Sequence, residues 1–198
     1  MVPVEMRGAW KRRSIAIDGG EPDEPATVLW LQASEAFADL RVPHSGKGGV
    51  EVFAGMTRWE SPRLTWHHSI DWNGGFAGYD CGDVEWLDGA LVERGTFEER
   101  GEEHAYEEVW DHVDPGDDYV VLTGENAIIV HVGAYFIALR DGRPGGSTFD
   151  VRGAQWSASR GWQDTYVFGA GTELPFAADA MERAEWRVTE STRAPAPR

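Results

Sequence analysis

Residues 119–140, YVVLTGENAIIVHVGAYFIALR, contain three short apolar segments separated by turn signals. The segments are five or six residues long and rich in β-branched and aromatic residues, which favour strands over helices. Gly124-Glu125-Asn126 separates the first two segments and is typical of a hairpin turn. This stretch therefore predicts an antiparallel meander.

Short strands and turns continue on both sides of this stretch. Strands are predicted near Gln155 and Tyr166 and at 8–17, 27–32, 37–42, 63–72, 83–87, 91–97, 105–112 and 185–190. One short helix is expected at 177–184. About ten strands in nearest-neighbour order favour an all-β fold, a single antiparallel barrel, because closure removes exposed sheet edges. The barrel domain is predicted to span 1–190, followed by a disordered tail at 191–198.

The composition limits the classes of partner. The chain carries 34 acidic and 18 basic residues, and a formal net charge of −16 repels nucleic acids and anionic membranes. No segment approaches the ~20 apolar residues of a membrane span, and the first ten residues lack the apolar core of a signal peptide. Cys81 is the only cysteine, so a cytoplasmic location is expected. A homodimer is among the arrangements that the sequence allows.

The first predicted strand carries Gly8-Ala9-Trp10, which resembles the Gly-x-Trp motif of lipocalins. In that family the Trp closes one end of the barrel and a basic residue on the last strand covers it. Arg187, beside Trp186, is the residue here that matches this basic position. The resemblance implies a lipocalin-like (calycin) barrel.

A second resemblance extends from Trp30 to about Trp110. It is carried by Trp30-Leu31-Gln32, Ala38-Asp39-Leu40-Arg41-Val42-Pro43, Phe53-Ala54-Gly55, Ile70-Asp71, Asp80 with Gly82, Glu93 with Gly95, and Tyr106-Glu107-Glu108 with Trp110. These residues resemble the fungal, casein-kinase-interacting Hri family and its uncharacterised bacterial relatives. The family implies a lipocalin-type barrel without an established reaction.

The segment 63–72 contains adjacent histidines, His67 and His68. Side chains alternate along a strand, so one face, expected to point inward, carries Leu64, Trp66, His68, Ile70 and Trp72. Asp71 is then expected on the opposite face. Adjacent histidines on a regular strand cannot both ligate one metal ion, and no metal or cofactor is predicted. His68 is interpreted as either a core histidine or a catalytic partner.

Polar residues also share faces with aromatic ones on other strands. Glu108 lies on one face with Tyr106 and Trp110, where burial would raise the pKa of the carboxyl and suit it to acid–base chemistry. The alternative is a polar residue at the barrel rim. Asp39 and Arg41 share a face, and a buried Arg41 would need a carboxylate from Asp39, Glu93 or Glu108. Such an ion pair would either fix strand register or hold a ligand.

Three functions remain open from the sequence. The first is binding of a small hydrophobic or aromatic molecule by a set comprising Trp30, Gln32, Asp39, Arg41, Trp66, Tyr106 and Trp110. The second is a small enzyme for isomerisation, cyclisation or hydration, whose catalytic residues would be Glu108, Glu93 and His68. The third is a protein-interaction module that uses aromatic side chains outside the barrel. The acidic run at 98–103 is interpreted as a solvated loop.

Overall fold

The computed structural model describes residues 1–45, 49–74 and 80–192. Within these ranges the strands are β1 (Gly8–Ile17), β2 (Ala26–Gln32), β3 (Ala36–Pro43), β4 (Glu51–Glu60), β5 (Arg63–Asp71), β6 (Asp80–Leu87), β7 (Ala90–Glu99), β8 (Glu102–Asp114), β9 (Tyr119–Gly124), β10 (Ala127–Val132), β11 (Tyr135–Asp141), β12 (Phe149–Ser157), β13 (Gly161–Phe168) and β14 (Arg187–Ser191). Short 3₁₀ turns lie at Val4–Met6, Arg143–Gly145 and Gly171–Glu173, and the one α-helix described, α1, spans Ala177–Met181. The tail predicted to be disordered falls largely at 193–198, outside the described residues.

Strands β1 to β8 form a closed antiparallel barrel in which each strand pairs with the next and β1 pairs with β8. The predicted lipocalin-like barrel and the short helix near the C-terminus are confirmed. The described barrel has eight strands rather than about ten. Strand β4, which the sequence reading had not identified, contributes one of them.

The remaining strands form a second sheet in the order β13-β12-β11-β10-β9-β14. The meander at 119–140 therefore belongs to this sheet and does not extend the barrel. The physical reason is visible in β10, which is buried at every position. A barrel wall that faces water alternates between buried and exposed side chains, whereas a strand covered on both faces does not.

One face of the second sheet packs on the outside of the barrel. The apolar residues of this interface include Leu29, Leu31, Leu40, Val52 and Ile70 from the barrel and Val121, Val130, Ile137, Leu139 and Val151 from the sheet. The opposite face packs against α1 and its flanking residues, including Leu174, Ala177 and Ala180. The carboxylate of Glu190 on β14 also ties the sheet to the barrel, accepting hydrogen bonds from Ser34 and from the backbone N–H groups of Glu35 and Ala36.

The barrel is closed at one end by tryptophans. Trp10 is fully buried and packs on Trp30 with ring centroids 5.8 Å apart, and Trp30 meets Trp66 and Trp110 edge to face. The ring of His112 stacks on Trp10 at 4.0 Å. These rings and the surrounding aliphatic side chains fill the closed end, as the Gly-x-Trp resemblance implied.

The structure corrects two of the predictions made from the sequence. Arg187 does not provide the cover of Trp10, because it lies exposed on β14 in the second sheet, and His112 stacks on the indole instead. The acidic run at 98–103 is not a loop. Its glutamates extend the exposed ends of β7 and β8 around a tight turn at Arg100 and Gly101, both of which have positive φ.

Candidate ligand-binding cavity

The open end of the barrel contains a cavity of about 340 Å³. Along β7 the inward side chains run from Leu91 at the tryptophan floor, through Glu93, to Phe97 at the mouth. Along β8 the matching series runs from Trp110 to Glu108 and Tyr106. The cavity therefore has a polar inner wall beneath a more apolar mouth.

A bulge in β1 directs side chains into this cavity. The pairing with β8 passes from Arg12 opposite Trp110 to Ser14 opposite Val109, so one extra residue is inserted in β1. The insertion reverses the alternation. Arg12 follows Trp10 toward the interior, and Ile15 and Ile17 beyond the bulge line the cavity mouth.

A second bulge, in β5, places His68 and Asp71 together. Gly55 pairs with His68 and Ala54 pairs with Ile70, so Ser69 is the extra residue. A side chain at position 55 would not fit, because a Cβ there would lie 1.9 Å from the backbone oxygen of His67. The expected alternation is therefore wrong beyond the bulge.

The consequence is a swap of faces at the end of β5. Ile70 and Trp72, expected inside the barrel, pack outward against the second sheet. Asp71, expected outside, lines the cavity. Trp66 and His68, which precede the bulge, point inward as predicted.

His68 lies between two carboxylates. Its Nδ1 is 2.7 Å from Oδ2 of Asp71, and its Nε2 is 2.8 Å from Oδ2 of Asp80. Burial lowers the pKa of the imidazole, but the hydrogen bonds to Asp71 and Asp80 outweigh this effect and raise the pKa to about 9. The ring is therefore an imidazolium at neutral pH, stacked on Phe53 with centroids 4.2 Å apart.

Arg41 and Arg12 supply the other cations. Arg41 donates to Asp39 through Nε at 2.9 Å and through Nη2 at 3.3 Å, and Asp39 is one of the three carboxylates that the sequence offered for a buried Arg41. Arg12 donates to both carboxylate oxygens of Glu24, at 2.9 and 3.0 Å, and its Nη1 bonds Glu108. Each guanidinium is thus held by acidic partners.

Glu93 is only 5% exposed and accepts a hydrogen bond of 2.7 Å from the hydroxyl of Tyr106. Burial, together with repulsion from Glu108, raises the pKa of the Glu93 carboxyl to about 8. Burial also raises the pKa of Glu108, against the opposing effect of Arg41 and Arg12. At neutral pH, Glu93 is therefore a protonated carboxyl in the cavity wall.

Two glycines make room for the side chains of Glu93 and Tyr106. A Cβ at Gly82 would lie 2.6 Å from the Cγ of Glu93, and a Cβ at Gly95 would lie 2.6 Å from the hydroxyl oxygen of Tyr106. Any larger residue at either position would push the side chain opposite it. The packing of Glu93 and Tyr106 therefore requires glycine at positions 82 and 95.

A smaller chamber of about 20 Å³ lies deeper, between the polar wall and the tryptophan floor. It shares Arg41 and Glu93 with the main cavity, and Trp30 and Trp110 also line it. Within the described part of the chain, the indole N–H groups of these two tryptophans have no hydrogen-bond partner. A chamber of this size accommodates about one water molecule or one polar ligand atom.

The sequence profile of the HRI1 protein family matches residues 9–195. This chain belongs to the HRI1 family. A comparison with curated proteins gives no match.

The chain is also similar to solved structures. The crystal structure of the uncharacterized protein YLR301w from Saccharomyces cerevisiae has a TM-score of 0.73 at 13% identity, over 92% of this chain and 98% of that one. A lipocalin-like protein from Bacteroides uniformis has a TM-score of 0.39 at 16% identity, over 55% of this chain and 98% of its own. The likeness to YLR301w shows a shared fold over nearly the whole chain.

The barrel brings together most of the residues singled out from the sequence. Those that line the main cavity are Glu93, Glu108, His68, Arg41 and Tyr106, and those beneath it are Asp39, Trp30, Trp66 and Trp110. Gln32 lies apart from them. Its amide nitrogen donates to the backbone oxygens of Ala33 and Ala36, and its oxygen accepts from Thr57.

Arg12 and Glu24 were not singled out from the sequence, and Asp80 and Phe53 were named only among the residues that carry the family resemblance. The sequence does indicate an inward orientation for Arg12, because it follows Trp10 by two positions on the same strand and so shares its face. Asp80 is the first residue of β6 and Glu24 lies in the connection between β1 and β2, where periodicity gives little information. Phe53 lies on β4, the strand that was not identified.

Within the described ranges of the chain, no group of three or more His, Cys, Asp or Glu side chains is arranged to hold a metal ion. None of the helices in the same ranges has the length and apolar character needed to cross a bilayer.

Proposed function

We propose that the protein binds a small amphipathic molecule in the barrel cavity. The observation that carries the proposal is the cavity of about 340 Å³, which combines an apolar mouth with a charged inner wall. A volume of about 300–1,000 Å³ is typical of small-molecule pockets, in which polar groups of the wall fix the orientation of the ligand. The apolar body of the ligand would contact Ile15, Ile17 and Phe97, with its polar end toward Glu93 and Glu108.

The tryptophan floor supports this proposal. Trp10 and Trp30 close the barrel below the cavity, so a ligand has a defined depth to occupy. The polar groups on the inner wall are fixed by hydrogen bonds to one another, which limits the reorganisation that binding requires. Preorganisation of this kind favours affinity for a small ligand.

The test is a titration with a neutral amphipathic probe, 2-phenylethanol, followed by ¹H–¹⁵N NMR. Saturable shifts are expected at the backbone amides of Glu93, Phe97 and Tyr106. The variant Ile15→Trp, which fills the mouth, should weaken the shifts, whereas Val188→Trp on the exposed edge of the second sheet should not. Shifts confined to residues of the second sheet, or no saturable shifts, would refute cavity binding.

Acid–base chemistry is a second candidate function, favoured by the Glu93 carboxyl that meets Tyr106 inside the cavity. Glu93 would exchange a proton with a bound ligand, and Tyr106 would orient the carboxyl. The test is deuterium exchange at the α-carbons of 4-phenyl-2-butanone in D₂O, followed by NMR. Catalysed exchange is expected with the native protein and not with Glu93→Gln. Equal exchange in both proteins would rule out this role for Glu93.

A further inference from the structure

Acidic groups dominate the surroundings of the cavity. Among the residues that the structure describes, five carboxyl groups line it, namely Glu51, Asp71, Asp80, Glu93 and Glu108, and the cations in its lining are Arg41 and His68. Behind the wall, Asp39 pairs with Arg41, while Arg12 lies between Glu24 and Glu108. Within these described residues, seven carboxyl groups therefore face three cations. Even if Glu93 and Glu108 were both protonated, carboxylates would remain in excess.

The cations are also already engaged. Both ring nitrogens of His68 face aspartates, and Arg41 uses Nε and Nη2 on Asp39. An anionic ligand group would have to compete with these carboxylates. Such competition is unfavourable where the surrounding field is already negative.

Glu93 differs from Glu108, Asp71 and Asp80 because, among the described residues, it forms no ion pair with a cation. One of its oxygens accepts from Tyr106, and the described residues offer no hydrogen-bond partner to the other. The side chain is nonetheless almost fully buried and lines both the main cavity and the deeper chamber. A buried carboxyl with an unused acceptor in a cavity wall is positioned to receive a donor from a ligand.

We propose that the polar end of the ligand is an organic cation, a primary ammonium group, which binds Glu93 and Glu108 and displaces the proton of Glu93 to solvent. This inference rests on the proposed cavity binding. The ammonium keeps its three N–H donors, the Glu93 O–H bond breaks, and the released proton passes to the buffer. The aromatic or aliphatic body of the amine then lies against the mouth.

The groups around Glu93 influence whether its carboxyl holds the proton or releases it. Glu108 on β8 and Asp80 on β6 disfavour its charge, and Arg41 on β3 favours it. Tyr106 donates a hydrogen bond to the carboxyl. His68 on β5 also lines the cavity and is already charged at neutral pH. An added cation beside Glu93 offsets the repulsion from the two acids, so the carboxyl ionises as the ligand binds.

The experiment compares three probes that share a phenyl group and differ in the polar end: 2-phenylethylamine, 2-phenylethanol and 3-phenylpropanoate. Affinities are measured by calorimetry at pH 7 with the native protein. The ammonium should bind roughly tenfold or more tightly than the alcohol, and the carboxylate should bind most weakly. Equal affinities, or tightest binding of the carboxylate, would overturn the inference while leaving cavity binding intact. Binding of none of the three would instead count against cavity binding itself.

Proton release gives an independent readout. Calorimetry of the amine in two buffers with different ionisation enthalpies should show release of up to about one proton per site at pH 7. Glu93→Gln should abolish the release and reduce the preference for the amine over the alcohol. Glu98→Gln, an exposed change on the same strand, should alter neither. Amine binding by the native protein without proton release would refute the role of Glu93.

Discussion

Replacement of Glu93 by glutamine should stabilise the protein at neutral pH. In the folded state, burial and the neighbouring Glu108 raise the pKa of Glu93 from 4.5 to about 8. In the unfolded chain the pKa of a glutamate is about 4.3. Between these values the folded protein keeps a proton that the unfolded chain has lost, so the free energy of unfolding decreases as the pH rises. Glutamine has no such proton.

The size of the effect follows from the pKa difference. Each pH unit within this window removes ~1.4 kcal/mol from the free energy of unfolding of the native protein. At pH 7 the accumulated loss is about 4 kcal/mol, and above pH 8 it stops growing. The amide oxygen of glutamine can still accept the hydrogen bond from Tyr106. Glu93→Gln should therefore be more stable than the native protein by an amount that increases from pH 5 to pH 8.

Urea denaturation followed by tryptophan fluorescence at pH 5, 6, 7 and 8 measures this difference directly. His68 titrates in both proteins, so its contribution cancels in the comparison. Glu98→Gln, which changes an exposed glutamate on the same strand, serves as the control and should follow the native pH dependence. If the stability curves of the native protein and Glu93→Gln run parallel across this pH range, Glu93 is not held in its protonated form.

Three other substitutions test the architecture of the site. Arg12→Met should cost ~3–5 kcal/mol in urea denaturation at pH 7, because it removes the cation that pairs with both Glu108 and Glu24, and adding Glu108→Gln should recover part of the loss. Gly55→Ala should cost about 3 kcal/mol or more by the same measurement, because its Cβ would overlap the backbone oxygen of His67; a loss below about 1 kcal/mol would contradict the bulge. His68→Gln should lower the melting temperature most below pH 6.5, and the gap should narrow as the pH rises through 9, since a raised pKa gives stability that is lost on deprotonation. A difference in melting temperature that stays constant between pH 6 and pH 10 would disprove the raised pKa of His68.

Alternation along strands predicted much of the cavity wall. Asp39 with Arg41, and Tyr106 with Glu108 and Trp110, share faces as expected, because β3 and β8 are regular at those positions. Alternation failed where a strand contains an extra residue. The bulge at Ser69 depends on the absence of a side chain at Gly55 on the neighbouring strand, which is a contact that the local sequence of β5 does not encode.

The position of the second sheet outside the barrel could not be predicted from the strand patterns either. The segments 119–123, 127–132 and 135–140 were identified as strands, and their continuous apolar character was visible. Periodicity reports which positions are buried, but it does not report what buries them. A meander that completes a barrel and one that packs outside it therefore look alike along the sequence.

Because strands β1 to β8 precede the second sheet in the chain, a ribosome completes the barrel before the sheet that covers it. At that stage the outward-facing Leu29, Leu40, Val52 and Ile70 would meet water or another protein. An apolar surface that stays uncovered during synthesis promotes aggregation. Folding during translation should therefore reach a protease-resistant state only after β9 to β12 have emerged, and a fragment that ends after β8 should require a chaperone to remain monomeric.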